Sequence, residues 1–373
     1  MELRHLNKLN IDTSLLGFGC MRFPITEQGT IDREEASRML EFAREQGVNY
    51  FDTAYVYHNG ESEKFLGNFL QRWDRDSYYL ATKLPMWCFK DRKGAEEIFE
   101  EQCKRLKTDR IDFYLLHAMD NERYEKALNL GLFEMCERLK QEGRIKYFGF
   151  SFHDEYDVFE KMIKNHKWDF CQIQYNYMDR KHQAGEKGYN LATSYGIPVI
   201  IMEPIRGGGL ANLPEEFMEP LRSFRPKAQP AAWALNWVAT HPNVKVVLSG
   251  MSTMEQVKQN IDNFSPFIAL NNEEKNAIDE VARKLKARRN NICTGCSYCI
   301  PCPVGVNIPE NFTIWNNFGI YQMKQQAKNQ WGNLDDKEKA KNCIGCAKCE
   351  QVCPQQIKIR RDLSVLQKQL DLI

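Results

Sequence analysis

Apolar, strand-like runs and amphipathic helical stretches alternate along most of this chain, and that alternation restricts the fold to a parallel sheet whose crossovers are helices. The runs fall at residues 15–19, 50–52, 78–82, 111–116, 145–150, 170–175, 198–202 and 244–248. Helical signals lie between them. Asp32 with Glu35 forms a capping box, and Ala36, Met39, Leu40 and Ala43 follow at helical spacing until Gly47. Eight such units in roughly 260 residues predict a (β/α)8 TIM barrel, in the α/β class. A doubly wound open sheet would carry a glycine-rich phosphate turn after its first strand. Gly17-Phe18-Gly19 followed by Cys20-Met21-Arg22 is a poor match to that fingerprint.

Three successive runs stop at polar, titratable groups. The first ends at Asp52 with Tyr57 just beyond, the next at Lys83, and the following one at His117. In a barrel the chemistry sits at the C-terminal ends of the strands, so Asp52, Tyr57, Lys83 and His117 are candidates for one catalytic site. A single tyrosine at such a place is more often a core residue with a hydrogen-bonded hydroxyl. Four polar groups ending adjacent strands favour a site. A carbonyl that accepts hydride develops alkoxide charge and needs a proton donor within hydrogen-bond reach. Free tyrosine, with a pKa near ~10, gives up its proton more readily beside an ammonium such as Lys83. Asp52 would keep that ammonium charged.

These residues and their surroundings, Asp52-Thr53-Ala54-x-x-Tyr57 with Ser62-Glu63, Thr82-Lys83, Leu116-His117, Gly149-Phe150-Ser151 and Gln172, resemble the aldo/keto reductase family over most of residues 1–265. The resemblance implies Tyr57 as proton donor, Lys83 and Asp52 as the groups that set its ionisation, and His117 as the residue that orients a carbonyl. It also implies a nicotinamide, NAD(P)H, with Ser151 and Gln172 at the carboxamide. Gly250, Gln256 and the adenine-contact position Asn260 fall in the segment after the eighth strand that binds the rest of the cofactor. Arg206, Gly207 and Gly208 open a loop that can offer backbone N–H groups to a phosphate, although a plain turn is as common.

The chain departs from the family in several places. Met202-Glu203 stands where an aromatic residue followed by Ser is usual, and Phe152 where Asn often is. Residues 249–256 lack the Lys and Arg that recognise the 2′-phosphate of NADP. Ser252 and Glu255 read there as a capping box. NADH, NADPH and a flavin, placed against Met202 and the Arg206 loop, are therefore all open. Loops at residues 86–90, 119–124 and 211–225 would shape the substrate pocket.

Eight of the thirteen cysteines fall between Cys293 and Cys353, which marks a boundary. The expected organisation is a barrel at 1–270, a linking helix at 271–290 and a ferredoxin-like domain at 291–373. Cys293, Cys296, Cys299 and Cys302-Pro303 are spaced x2-x2-x2. Cys343, Cys346, Cys349 and Cys353-Pro354 are spaced x2-x2-x3, as in bacterial two-cluster ferredoxins. In that pattern the Pro-adjacent cysteine ligates the other cluster. This assigns Cys293, Cys296, Cys299 and Cys353 to one 4Fe-4S cluster and Cys343, Cys346, Cys349 and Cys302 to a second. Zinc is the competing reading, disfavoured by the third cysteine at x2 in both runs. Phe312, Trp315, Phe318 and Tyr321 at helical spacing predict a helical module. The remaining thiols, Cys20, Cys88, Cys103, Cys136 and Cys171, are expected to be buried.

A formal net charge of +1 gives no bulk attraction to nucleic acid or an anionic membrane. No secretory signal or membrane-spanning run is evident, so the expected location is cytoplasmic, and in a reducing cytosol clustered cysteines are more often metal ligands than disulfides. The expected partners are a small-molecule carbonyl substrate and a ferredoxin or flavodoxin. The run Lys284, Lys286, Arg288 and Arg289 is either its dock or a solvated helix face.

Overall fold

The structure, a computed structural model, describes every residue except Thr294 and Cys296. Eight parallel strands close into a barrel in chain order. They are β3 (Leu16–Gly19), β4 (Tyr50–Asp52), β5 (Tyr79–Pro85), β6 (Ile111–Met119), β7 (Ile145–Phe152), β8 (Phe170–Gln174), β9 (Val199–Met202) and β10 (Val244–Gly250). Closure comes from β10, which pairs with β3 through Val247 and Leu16 and with β9 through Val244 and Val199. Helices cover the outside of the sheet, so the strands are buried on both faces, which is why they read as apolar runs rather than as alternating ones.

A preceding hairpin, β1 (Leu3–Leu6) paired with β2 (Ile11–Ser14), stops one end of the barrel. Its Leu6 is fully buried among Tyr50, Phe113, Phe170, Ile200 and Val246. Tyr50, Phe170 and Val246 stand at or near the starts of their strands, so the stoppered end is the N-terminal one. The C-terminal end is left to polar residues and loops.

Close packing of the outer layer requires glycine at one point. A Cβ on Gly67, in the helix Glu61–Leu70, would lie 2.2 Å from the Arg105 carbonyl oxygen and 2.6 Å from Leu106 Cα. Backbone cannot yield as a side chain tip can. Gly67→Ala is therefore expected to cost about 1–3 kcal/mol and to lower the thermal unfolding midpoint of the barrel. An unchanged midpoint would mean that this helix and the helix Arg92–Leu106 can separate freely.

The chain divides into two compact units. One comprises Met1–Gly207 and Ala231–Asn271, the other Gly208–Pro230 and Asn272–Ile373. Two features of this division differ from the expected organisation. The helix Asn272–Ala287 groups with the C-terminal unit instead of standing apart as a linker. Residues 208–230, read as part of the barrel, group there too. The physical reason is the helix Glu215–Arg222, which buries Phe217, Met218 and Leu221. Arg225 beside it forms a forked pair with Glu274 at 2.5 and 3.1 Å.

The rest of the second unit is helical, with Ile308–Tyr321, Lys324–Asn333 and Ile359–Leu370 around Phe312, Ile314, Trp315, Trp331, Leu363 and Leu366. Among its described residues there is no strand.

Candidate active site and thiol cavities

Asp52 closes β4 and Lys83 lies within β5, both facing the barrel interior at 3% and 2% exposure. Lys83 Nζ donates to Asp52 Oδ1 at 2.6 Å, to the Thr53 carbonyl at 2.7 Å and to the Tyr57 hydroxyl oxygen at 3.4 Å. An ammonium has three protons, and all three are used. Tyr57 is not at a strand end: it opens the short 3₁₀ turn Tyr57–Gly60, whose His58 and Asn59 adopt left-handed conformations. That turn folds the phenol back over the ammonium, 4.9 Å from ring centroid to Nζ. His117, inside β6, presents its ring edge-on to the phenol at 6.2 Å between centroids.

Burial governs the protonation states. It pulls Lys83 down, but Asp52 and Tyr57 more than compensate, and the group stays an ammonium. Burial likewise raises the Asp52 carboxyl, with Lys83 and then Gln172 opposing. The shared proton belongs to Lys83, whose Nζ is gripped by two oxygens besides the phenol. For Tyr57 burial outweighs the ammonium, so the phenol is raised rather than lowered. This corrects the sequence expectation of an acidified phenol and leaves a protonated donor at neutral pH. His117 is held well below the ordinary histidine value by burial, then by Lys83, His153 and Arg123, and is neutral.

The supporting residues were not legible as such. Glu63, fully buried, accepts from Thr82 at 2.6 Å and from Gln102 at 2.9 Å, and Gln102 also donates to the Lys83 carbonyl at 3.0 Å. This network clamps β5 beside its lysine. Ser62 links to Thr53 at 2.9 Å and donates to the Cys20 carbonyl at 3.0 Å. A carboxylate inside the apolar stripe Phe65, Leu66, Phe69, Leu70 was the available signal. Trp87, in a loop read as pocket-shaping, sets its ring 5.1 Å from His117.

The candidate cofactor residues other than Gly208 lie in or after β7, β8, β9 and β10. Ser151 Oγ accepts from the Ala118 N–H at 2.8 Å and keeps its own hydrogen free to donate. Gln172 is 2% exposed, and its Oε1 is buried without a partner. Met202 ends β9 half-buried. Arg206 Nε donates to Asp179 at 2.9 Å, while the Gly207 N–H, expected to face a phosphate, donates instead to Glu203 Oε2 at 2.6 Å. Gly208 has φ +96 and belongs to the other unit.

At the end of β10, a Cβ on Gly250 would come 2.6 Å from Arg22 Cγ, so glycine lets that side chain cross the strand end. Asn260 donates to Ser249 Oγ at 3.0 Å. The helix cap is Thr253, accepting from the Gln256 N–H at 3.3 Å, and Gln256 Oε1 accepts from the Ser252 N–H at 2.8 Å. The expected Ser252–Glu255 box is thus displaced by one residue.

In the second unit Cys302, Cys343, Cys346 and Cys349 line one cavity of about 200 Å³, together with Cys299. Cys293, Cys299 and Cys353 line a smaller one of about 20 Å³. Cys296 lies outside the described residues. The larger cavity includes Cys302, the Pro-adjacent cysteine of the first run, and the smaller one Cys353, the Pro-adjacent cysteine of the second. Among the described residues no three Cys, His, Asp or Glu side chains converge as a single ion would need. The thiols surround space, a donor set that suits a cluster. Of the other cysteines, Cys20, Cys103, Cys136 and Cys171 are buried, but Cys88 is exposed, because it follows Trp87 on the loop beyond β5.

The sequence profile of the aldo/keto reductase family matches residues 15–283. The chain belongs to the aldo/keto reductase family. A second profile, that of a 4Fe-4S dicluster domain, matches residues 292–357, so this aldo/keto reductase carries an iron-sulfur domain at its C-terminal side.

It is 28% identical over 292 residues to an uncharacterized oxidoreductase of Bacillus subtilis, covering 70% of this chain and 90% of that protein. It is 25% identical over 308 residues to an Arabidopsis thaliana protein named "Probable voltage-gated potassium channel subunit beta", at the same coverages. Among solved structures, the holo form of an aldo-keto reductase from Bacillus halodurans superposes with a TM-score of 0.64 at 28% identity, over 75% of this chain and 96% of that one. This aldo/keto reductase is an oxidoreductase, and its fold suits small-molecule carbonyl substrates. Among the described residues no helix is long and apolar enough to cross a membrane.

Proposed function

We propose that this aldo/keto reductase reduces the carbonyl of a small molecule, or oxidises the corresponding alcohol, with Tyr57 as the proton donor. The carrying observation is the Lys83 ammonium held between Asp52 Oδ1, the Thr53 carbonyl and the Tyr57 hydroxyl. Neutral His117 orients the carbonyl oxygen toward the phenol. As charge develops on that oxygen, Tyr57 gives up its proton, and Lys83 stabilises the phenolate left behind. Asp52 and Thr53 fix the ammonium, and Glu63 with Gln102 fixes the strand that bears it.

Bound nicotinamide would supply the hydride, and 4Fe-4S clusters one electron at a time. Ser151, Gln172, Met202, Arg206, Gly207, Gly208, Gly250, Gln256 and Asn260 are the residues proposed to hold the nicotinamide nucleotide. Cys293, Cys296, Cys299 and Cys353 are proposed for one cluster, and Cys302, Cys343, Cys346 and Cys349 for the other. Domain bounds of 1–270 and 291–373 follow from that division of labour. Clustered cysteines that serve as metal ligands rather than disulfides fit a reducing compartment, the cytoplasm. Exchange of electrons between the clusters and the barrel, directly or through a flavin, is part of this reading, as is a soluble one-electron carrier as partner.

Anaerobically purified protein tests it. The reading expects about eight irons and eight sulfides per chain, from two cubanes, and nicotinamide oxidation that depends on an added aldehyde or ketone. The same absorbance spectrum reports any bound flavin. Bound zinc, or nicotinamide oxidation indifferent to carbonyls, would sink it.

A further inference from the structure

The cavity lined by Cys302, Cys343, Cys346 and Cys349 opens among apolar side chains that the unit leaves in water. Tyr298 is 67% exposed, Ile300 41%, Ile344 66% and Val352 51%, and all four line that cavity. With Ile292 at 60%, they make five of the fifteen exposed large apolar side chains among the described residues, gathered on two short cysteine-bearing loops. Scattered exposed hydrophobics need no explanation. A contiguous set around one opening marks a contact surface. The thiols lie shallow here as well: Cys346 is exposed and the other three are half-buried.

Charge around this patch is predominantly positive. Residues 341–361 carry Lys341, Lys348, Lys358, Arg360 and Arg361 against a single carboxylate, Glu350, and residues 290–304 carry no charge. Lys341 pairs with Asp336, and Arg360 with Glu350 at 3.0 Å. Lys348, which lines the cavity, forms no ion pair among the described residues; Lys358 forms no direct one either, though it acts on Glu350 at longer range, and Arg361 stays 72% exposed beside Asp362. The run Lys284 to Arg289 is by contrast partly satisfied within its own unit. Lys284 faces Glu280 at 3.5 Å, and Arg288 pairs with Glu216 and lies over the Phe217 ring at 4.5 Å.

We propose that the apolar patch Tyr298, Ile300, Ile344 and Val352, rimmed by Lys348, Lys358 and Arg361, is the docking surface for a small, acidic one-electron carrier protein. The inference rests on the reading that these cysteines hold clusters. Positive charges around an apolar centre steer an acidic partner to productive encounter and lose that effect in salt. Weak redox encounters bury little area, which a patch of four side chains matches. One electron passes per encounter: the carrier is oxidised, the chain's iron-sulfur centre is reduced, and no bond is made or broken.

The test uses the full anaerobic chain and a reduced, acidic 2Fe-2S ferredoxin of the plant type, with the rate of cluster reduction followed by stopped-flow absorbance. The expected result is a second-order rate that falls steeply with ionic strength in the unmodified chain. In Lys348→Glu/Lys358→Glu it drops at least tenfold at low salt, with iron content, visible spectrum and nicotinamide-linked carbonyl reduction unchanged. Tyr298→Ser should slow the reaction without changing its salt dependence.

A rate insensitive to both salt and charge reversal, with iron in place, overturns the docking surface alone. A chain with no iron overturns the cluster reading and the dock together. Binding to vesicles of anionic phospholipid that the charge reversal abolishes, with the ferredoxin rate unaffected, would assign the patch to a membrane and overturn the proposal.

Discussion

Replacing Tyr57 with Phe is expected to lower kcat for carbonyl reduction by about 10²–10⁴-fold, the usual worth of a positioned proton donor. The substitution removes only the hydroxyl. The ring would still lie 4.9 Å from the Lys83 ammonium and edge-on to His117, so the site keeps its shape and KM should move little. Cluster absorbance should not change at all. Because burial raises the phenol above a free tyrosine's ~10, the native enzyme keeps its donor protonated across neutral pH. Loss of reduction at high pH should therefore begin only in strongly alkaline solution. Steady-state kinetics on a panel of aldehydes, with the variant's spectrum as control, checks this. Unchanged turnover would remove Tyr57 from the chemistry.

The second large effect belongs to Lys83. Lys83→Met should destabilise the barrel by about 3–5 kcal/mol, because it leaves the Asp52 carboxyl buried at 3% exposure without its countercharge. The Asp52 Oδ2 lacks a partner in the native site, and the neutral Gln172 amide beside the carboxyl brings no charge to replace the ammonium. Adding Asp52→Asn removes the stranded charge. The double variant should recover a good part of the stability but none of the activity, since the ammonium that stabilises a phenolate is still gone. Denaturant titration of the barrel transition, set beside turnover, separates the two roles. A single variant as stable as the native chain would mean that Asp52 finds another partner or stays protonated.

How much of this was written in the sequence depends on whether the deciding forces are local. Strands buried on both faces must be apolar throughout, so Asp52, Lys83 and His117 interrupting such runs could be read as a site. Cysteine spacing is equally local, and it pointed to two thiol sets without any knowledge of the packing around them. What depended on tertiary packing was not legible. Lys83 does pull on the phenol as the sequence suggested, but the depth of burial that outweighs it appears only once the Tyr57–Gly60 turn has folded inward.

Glu63 and Thr82 stood among the residues that carry the family resemblance, but what Glu63 does appears only where Thr82, Gln102 and Arg105 close around it. The segment Gly208–Pro230 sits between two barrel strands in sequence, yet its apolar helix face packs with Asn272–Ala287, a choice no periodicity reveals. Glu203 capping the Gly207 N–H has the same character. A glycine-rich loop advertises free donors, but whether they stay free depends on a side chain four residues earlier.

The most direct check on the account is where the hydrogen goes. With nicotinamide deuterated on its transferring face and a ketone substrate in ordinary water, the alcohol product should carry one deuterium on the carbinol carbon, and Tyr57→Phe should slow its appearance. A product carbon without deuterium, made at a full rate, would mean that carbon receives its hydrogen from solvent, contradicting direct hydride transfer over Tyr57, Lys83 and His117.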